Sequence, residues 1–397
     1  MRIRRIDKIN SPRVFCAVFL CLAFYYLISE AALETSVFSN ASNDSDYYAS
    51  VVFSEKDWIF AQKFRKDLIS SGERRAVVPG TLFYRYKPLK TETLRINSLG
   101  YRGNEIKPKE KDEFRIVIFG DSRIFGVLLA DENTIPAAVE NNLKKAFPDK
   151  KIRVLNFGVE GLTFQRIADA AKHYYKELEP DIILLDSGAN DINEAFVFGW
   201  RELEPFDKNA LLPPAFGERP DEQMTAKIKL LNTIKLSLIN DFAGFYQMFS
   251  DNSDKDFASV PISPDKLEKS DVFVKKFTEN VGETCSYFRE RGIYAAYILS
   301  PIAQLHKPLS EIERHLLFRH ESFSPGLNLF SRRCAEKIAG ILAAQHDFKV
   351  IDLSRIFEET KETVFYDGIH FTPAASRLHA KKLSEEIVEI IKEIQDK

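Results

Sequence analysis

Cysteine is scarce in this chain of 397 residues: there are four, and two of them, Cys16 and Cys21, fall inside an apolar N-terminal run. The remaining pair, Cys285 and Cys334, is too small a set for a disulfide framework or a zinc site. Two readings stay open for it, a single bridge in an oxidising compartment or two isolated buried thiols. An excess of one charge is missing as well, with 56 Lys and Arg against 58 Asp and Glu. The net charge of −2 supplies no overall basic field, which argues against nucleic acid as a partner. No internal repeat and no long low-complexity segment interrupts the pattern. What is present, 45% hydrophobic and 29% charged residues, is an ordinary globular mixture able to bury a substantial core.

The even spread of charge breaks down only at the start. Arg2, Arg4, Arg5, Lys8 and Arg13 precede an uncharged apolar run over residues 14–28. That run is short for a membrane span of roughly 20 residues and long for a signal-peptide core of about 7 to 15. Tyr25, Tyr26 and Glu30 suit an uncleaved anchor, whereas Ser29, Ala31 and Ala32 suit a cleavage site. Residues 1–34 therefore read as a signal anchor or a signal peptide. In either case the positive flank stays inside and the rest of the chain is expected on the extracytoplasmic side, periplasmic or extracellular. Asn40 and Asn43 begin Asn-x-Ser sequences, glycosylation acceptors in a eukaryotic source.

Residues 35–110 form a mixed prefix, with a helical stretch near residues 58–69 and a charged end over 107–113. Apolar runs bounded by breakers follow at 116–119, 154–157, 182–185, 294–299 and 350–353, short enough for strands buried on both faces. Helical patterns at 135–147 and 164–178 lie between them, and an amphipathic helix at 373–394 closes the chain. Strands alternating with helices predict a parallel α/β sheet of about five strands, with helices on both faces. Residues 192–290 are far too long for an ordinary connection and predict a largely helical insertion within a domain spanning 111–397. In it Leu231, Ile234, Leu238, Phe242, Phe245 and Phe249 make one apolar helical face, suited to packing on the main body or to a lid over an apolar substrate.

Four short motifs sit just past predicted strands: Gly120-Asp121-Ser122, residues 158–161, Gly188-Ala189-Asn190-Asp191 and Asp367-Gly368-Ile369-His370. Each alone is an ordinary turn, cap or loop. Ligands of open α/β sheets bind outside the carboxyl ends of the strands, so all four are expected on one rim. Ser122 supplies a hydroxyl nucleophile on a strand-to-helix turn. His370 supplies the base and Asp367, three residues earlier, the acid that orients it. The backbone N–H groups of Ser122 and Gly161 and the side-chain amide of Asn190 supply donors for an oxyanion. Pro373 marks the first turn of the final helix.

With those blocks on one chain, the sequence resembles the SGNH, or GDSL, hydrolase family, named for the Ser, Gly, Asn and His that here are Ser122, Gly161, Asn190 and His370. The resemblance spans roughly residues 115–394 apart from the long interval. Residues 156–161 match the form Asn-x-Gly-x-x-Gly, and residues 97–103 resemble a lead-in of exported bacterial members. It implies a flavodoxin-like three-layer sandwich and hydrolysis of esters of lipids, acylated glycans or small acyl groups, with no metal or cofactor. Transfer of the acyl group to an envelope glycan, or binding without catalysis, would use the same cleft. Arg123 departs from the family, which carries an uncharged residue after the nucleophile. It is expected to bind an anionic substrate or to form a surface salt bridge.

Overall fold

A computed structural model describes residues 51–70, 75–206, 263–319 and 325–396. The first described helix, α1 (Glu55–Ser70), is followed by two short antiparallel ribbons. These are β1 (Arg75–Val77) with β2 (Tyr84–Tyr86) and β3 (Leu89–Lys90) with β4 (Arg95–Ile96). The chain then enters β5 (Glu113–Gly120), the single turn of α2 (Ser122–Phe125), α3 (Ile135–Ala146), β6 (Lys151–Gly158) and α4 (Phe164–Leu178). Next come β7 (Ile182–Asp186), α5 (Ala189–Phe198), α6 (Pro264–Arg289) and β8 (Tyr294–Leu299). The final elements are α7 (Glu311–Arg319), α8 (Pro325–Ala343), β9 (Lys349–Asp352) and α9 (Pro373–Gln395).

The main sheet has five parallel strands in the order β6-β5-β7-β8-β9. This is the flavodoxin-like order, in which the chain leaves the sheet in opposite directions from β5 and β7 and opens a crevice between their ends. Alternate residues of each strand face opposite layers. Val117, Phe119, Ile183, Leu185 and Tyr297 join the core beneath α4 and α6, while Ile116, Ile118, Ile182, Leu184 and Ile298 join the core beneath α3 and α9. Burial on both faces is why the strands read as continuous apolar runs. The helix ends follow local chemistry: Thr372 accepts the Ala375 N–H and Pro373 opens α9, as its position predicts.

The prefix is no appendage. Phe53, Phe64, Phe83, Tyr84, Tyr86 and Tyr101 are buried in the same core as β5 and β6, with Tyr101 stacked on Phe157 at 3.9 Å between ring centroids. Residues from Ala49 onward form one compact unit.

The expected helical insertion over residues 192–290 is described at its two ends, both of which are helical. Its last part, α6, is the helix that carries the chain from β7 to β8, with Phe273, Phe277, Val281 and Phe288 buried against the sheet. Exposed Asp271, Lys275, Lys276, Glu279 and Glu283 lie between the buried positions and make the helix amphipathic. The apolar face from Leu231 to Phe249, the N-terminal run and the Asn40 and Asn43 acceptors lie outside the described residues. Among the described residues no helix is long and apolar enough to cross a membrane. Cys285 on α6 and Cys334 on α8 are both free and buried, and burial raises the Cys285 thiol to about 12.

Candidate active site

The nucleophile turn is built by three devices. Asp121 caps α2 by accepting the Arg123 N–H at 2.9 Å, and Gly126 closes the turn in the left-handed region. Asn156 on β6 donates to the Ile124 carbonyl at 2.9 Å, so the second block holds the first. Gly158 lets them approach: a Cβ there would lie 2.1 Å from the Phe125 nitrogen. Arg102 of the prefix completes the support from the other end. Its guanidinium is buried and donates to the carbonyls of Phe125 (3.1 Å), Gly126 (2.6 Å) and Leu129 (2.6 Å), with Asp131 as counter-ion at 2.8 Å. A cation on the last carbonyls of a helix is favourable in both charge and hydrogen bonding.

On the opposite side of the crevice, the loop after β9 brings in the base. His370 Nε2 lies 2.7 Å from Ser122 Oγ, across 248 residues of chain, and His370 Nδ1 lies 2.7 Å from Asp367 Oδ2. It is a Ser–His–Asp triad in geometry. Asp367 Oδ1 also accepts the N–H groups of Ile369 (3.1 Å) and His370 (2.8 Å), fixing the loop around its own carboxylate. Tyr366 stacks on the imidazole at 5.8 Å and sends its hydroxyl to the Val127 carbonyl at 3.2 Å. Burial pushes the Asp367 carboxyl up, but His370 outweighs it and holds it below its ordinary value. Burial likewise disfavours the charged imidazole, yet Asp367 draws the pKa of His370 above its ordinary value.

The third component is a set of donors. Among the described residues neither the Ser122 N–H nor the Gly161 N–H has an acceptor. Gly161 sits at φ +76°, with the Tyr84 hydroxyl 2.8 Å from where a Cβ would be, while that hydroxyl donates to the Glu160 carbonyl at 2.8 Å. Asn190 donates through Nδ2 to the Leu162 carbonyl at 3.1 Å, which leaves its second amide hydrogen available. Asp191 Oδ1 accepts the Phe164 N–H at 2.7 Å, so Asn190 and Asp191 together hold the second block against α5. Burial pushes the Asp191 carboxyl up to about 7.

Arg123 meets neither expectation made for it. It is only 4% exposed, with Nη2 2.9 Å from Asp186 Oδ1 and both Asp121 oxygens at 3.4 Å. The sheet order explains this: Gly120 and Asp186 are register partners at adjacent strand ends, so a side chain pointing inward from the turn meets a carboxylate at the end of β7. Two carboxylates and one guanidinium leave an excess negative charge in a dry site, and burial raises Asp186 to about 6. Sequence reasoning also missed Arg102, Tyr366 and the buried Lys307–Glu313 pair, whose Glu313 accepts the N–H groups of Val364 (2.9 Å) and Phe365 (3.1 Å). Their only local signal was the Tyr101-Arg102-Gly103 lead-in, which says nothing of where the guanidinium goes. Among the described residues no three His, Cys, Asp or Glu side chains converge as metal ligands would.

No family model and no curated protein matches the chain. Solved structures with similar folds include a putative lipolytic protein of the G-D-S-L family from Desulfitobacterium hafniense (11% identity, 68% of this chain and 98% of that one, TM-score 0.35). An acetyl xylan esterase matches at 14% identity, covering 69% of this chain and all of that one, with a TM-score of 0.37. The psychrotrophic esterase EstA from Pseudoalteromonas sp. matches at 12% identity over 70% of this chain and 98% of that one, with a TM-score of 0.36. At such identities and scores the functional reading rests on the geometry of the site itself.

Proposed function

We propose that the protein is a serine ester hydrolase of the SGNH type. The observation that carries this is the pair of 2.7 Å contacts joining Ser122, His370 and Asp367 beside the Ser122 and Gly161 N–H groups, which have no acceptor among the described residues. Ser122 Oγ attacks the ester carbonyl as His370 Nε2 takes its proton. The oxyanion is held by the N–H groups of Ser122 and Gly161 and the amide of Asn190. His370 returns the proton to the leaving alcohol, which departs and leaves an acyl-serine. Water, deprotonated by His370, then attacks the acyl carbonyl and frees the acid and Ser122. Asp367 keeps Nδ1 protonated and stabilises the imidazolium.

The acyl group is short in this reading. A cavity of about 20 Å³, room for one group of water or methyl size, is lined by apolar Ala189, Ile192, Pro301, Ile302 and Ile369 and by polar Arg123, Asn193, Gln304 and Ser331. Arg123, Ala189 and Ile369 are the chain neighbours of Ser122, Asn190 and His370. That placement favours acetyl esters of glycans or small alcohols over long-chain lipids. The basic residues and apolar run at the N-terminus favour an enzyme held at, or secreted across, the membrane with its catalytic domain on the extracytoplasmic side.

The test is hydrolysis of p-nitrophenyl acetate, butyrate and octanoate by the wild type and by Ser122→Ala. We expect activity on acetate, a fall of at least tenfold in kcat/KM by octanoate, and loss of turnover in Ser122→Ala with the fold retained. Unchanged hydrolysis by Ser122→Ala overturns the mechanism. A preference for octanoate overturns the short-acyl assignment alone.

A further inference from the structure

Beneath the crevice, one string of buried polar groups ties together the elements that carry the catalytic residues. Arg123, next to the nucleophile, reaches Asp186 at the end of β7 (2.9 Å), four residues before Asn190. Ser300, just past the end of β8, donates its hydroxyl hydrogen to Asp186 Oδ2 at 2.6 Å. His379 on α9, the helix that follows the His370 loop, has Nε2 3.1 Å from the Ser300 oxygen. Because the one hydroxyl hydrogen goes to Asp186, His379 must present Nε2–H to Ser300. Its Nδ1 is buried without a partner among the described residues, and burial lowers its pKa to about 3. All members of the string are under 10% exposed, and Asp186 and His379 are fully sealed at 0%.

We propose that Arg123 is a positioning residue, acting through Asp186, Ser300 and His379 to fix the nucleophile turn against the strand end that carries the oxyanion amide. The inference rests on the hydrolase reading above. Its physical basis is the geometry of the guanidinium. A planar fork has fixed directions toward the Asp186 and Asp121 carboxylates, whereas an ammonium is a compact charge with three rotatable donors that sets no such geometry. Burying a cation between two carboxylates is a poor source of stability, since apolar groups of the same volume often do as well. What the fork supplies is a fixed spacing between two strand ends that no hydrophobic contact would set so sharply. The donors of the oxyanion hole ride on those two ends: Ser122 N–H on one, Asn190 on the other. An error of an ångström in their separation is felt in the transition state more than in substrate binding.

The experiment uses the full chain and p-nitrophenyl acetate, with kcat expressed per active site titrated by a fluorophosphonate. Arg123→Lys keeps the charge and loses the fork. We expect its kcat per titrated site to fall at least tenfold while KM stays within about threefold, and its rate of labelling to fall in step. Ser300→Ala, which changes no charge, should give a smaller loss of about threefold, and His379→Gln, which keeps a donor near Nε2, should retain most of the wild-type rate. If Arg123→Lys and Ser300→Ala both keep wild-type kcat per titrated site, the string is only structural and the proposal is overturned, even where the titratable fraction drops. If Arg123→Lys fails to fold, Ser300→Ala decides by the same criterion. Absence of any hydrolysis or labelling in the wild type would sink the hydrolase reading instead, which keeps the two failures apart.

Discussion

The two sides of the crevice are anchored with opposite charges. On the nucleophile side Asp121 caps the start of α2, but cations fasten its end: Arg102 takes the last carbonyls, and Arg123 joins the turn to β7. On the base side an anion does it. Glu313, at 0% exposure and paired with Lys307 at 2.6 Å, accepts the N–H groups of Val364 and Phe365 just ahead of Asp367. The difference follows from which backbone groups are orphaned. A one-turn helix ends in free carbonyls and calls for a donor, whereas a loop entering a turn presents free N–H groups and calls for an acceptor. Ser122 and His370 are thus each backed by a buried charged group outside the cavity lining, Arg102 on one side and Glu313 on the other.

The sharpest way to break this comparison is at the triad acid, which belongs to the base side in both position and chemistry. Asp367→Asn should leave the loop in place, because the amide oxygen can still accept the Ile369 and His370 N–H groups, yet favour the wrong imidazole tautomer. A drop in kcat of about 10⁴-fold with little change in thermal stability is expected. A fall in stability matching the fall in rate would mean that the carboxylate is a structural anchor instead.

Next in size are the anchors themselves. Glu313→Gln strands the Lys307 ammonium in a site that leaves it 2% exposed, and should cost about 3–5 kcal/mol by denaturant unfolding. Arg102→Met should cost less, about 2–4 kcal/mol, because its counter-ion Asp131 is already 60% exposed and returns to water, leaving only the buried carbonyls unpaired. The reverse ranking would show that the nucleophile side depends on charge more than the geometry implies.

How much of this was written in the chain depends on the range of each interaction. The strands were legible because each is buried on both faces, so 116–119 and 182–185 stood out as unbroken apolar runs inside β5 and β7. Helix α4 was legible from its period, and the boundaries 164–178 agree. Ser122, Asp367 and His370, the residues expected to meet, do so because each follows a strand end on the same rim. The anchors were not legible. Arg123 meets Asp186 across 63 residues, and Glu313 meets Val364 across 51, distances at which residue type alone gives no hint of pairing. The α6 helix fell within the expected helical insertion, but its place as the last helix before β8 was not legible, because the interval from β7 is far longer than an ordinary connection.

A smaller effect separates the two sides by pH. His370 must be neutral to accept the Ser122 proton, and Asp367 raises its pKa above the ordinary 6.5. The acid limb of kcat/KM should therefore have its midpoint above 6.5, and Asp367→Asn should move what activity remains to a lower midpoint. A wild-type limb below 6.5 would mean that burial, not Asp367, dominates the imidazole.

The last effect concerns stability rather than rate, and it has opposite signs on the two sides. Asp367 is held below its ordinary value, so its contribution is present above the unfolded pKa and is lost as pH falls through the folded one. Asp191, beside the oxyanion amide, is pushed up to about 7 from 3.8, so the folded state keeps a proton that the unfolded chain has released. Folding stability should consequently decline from about pH 4 to pH 7 on account of Asp191. Asp191→Asn keeps an acceptor for the Phe164 N–H and removes the titration, so it should flatten that decline in urea unfolding followed across the range. A slope identical to the wild type would place the Asp191 carboxylate in contact with water, and the second block would then be held chiefly by Asn190 through the Leu162 carbonyl.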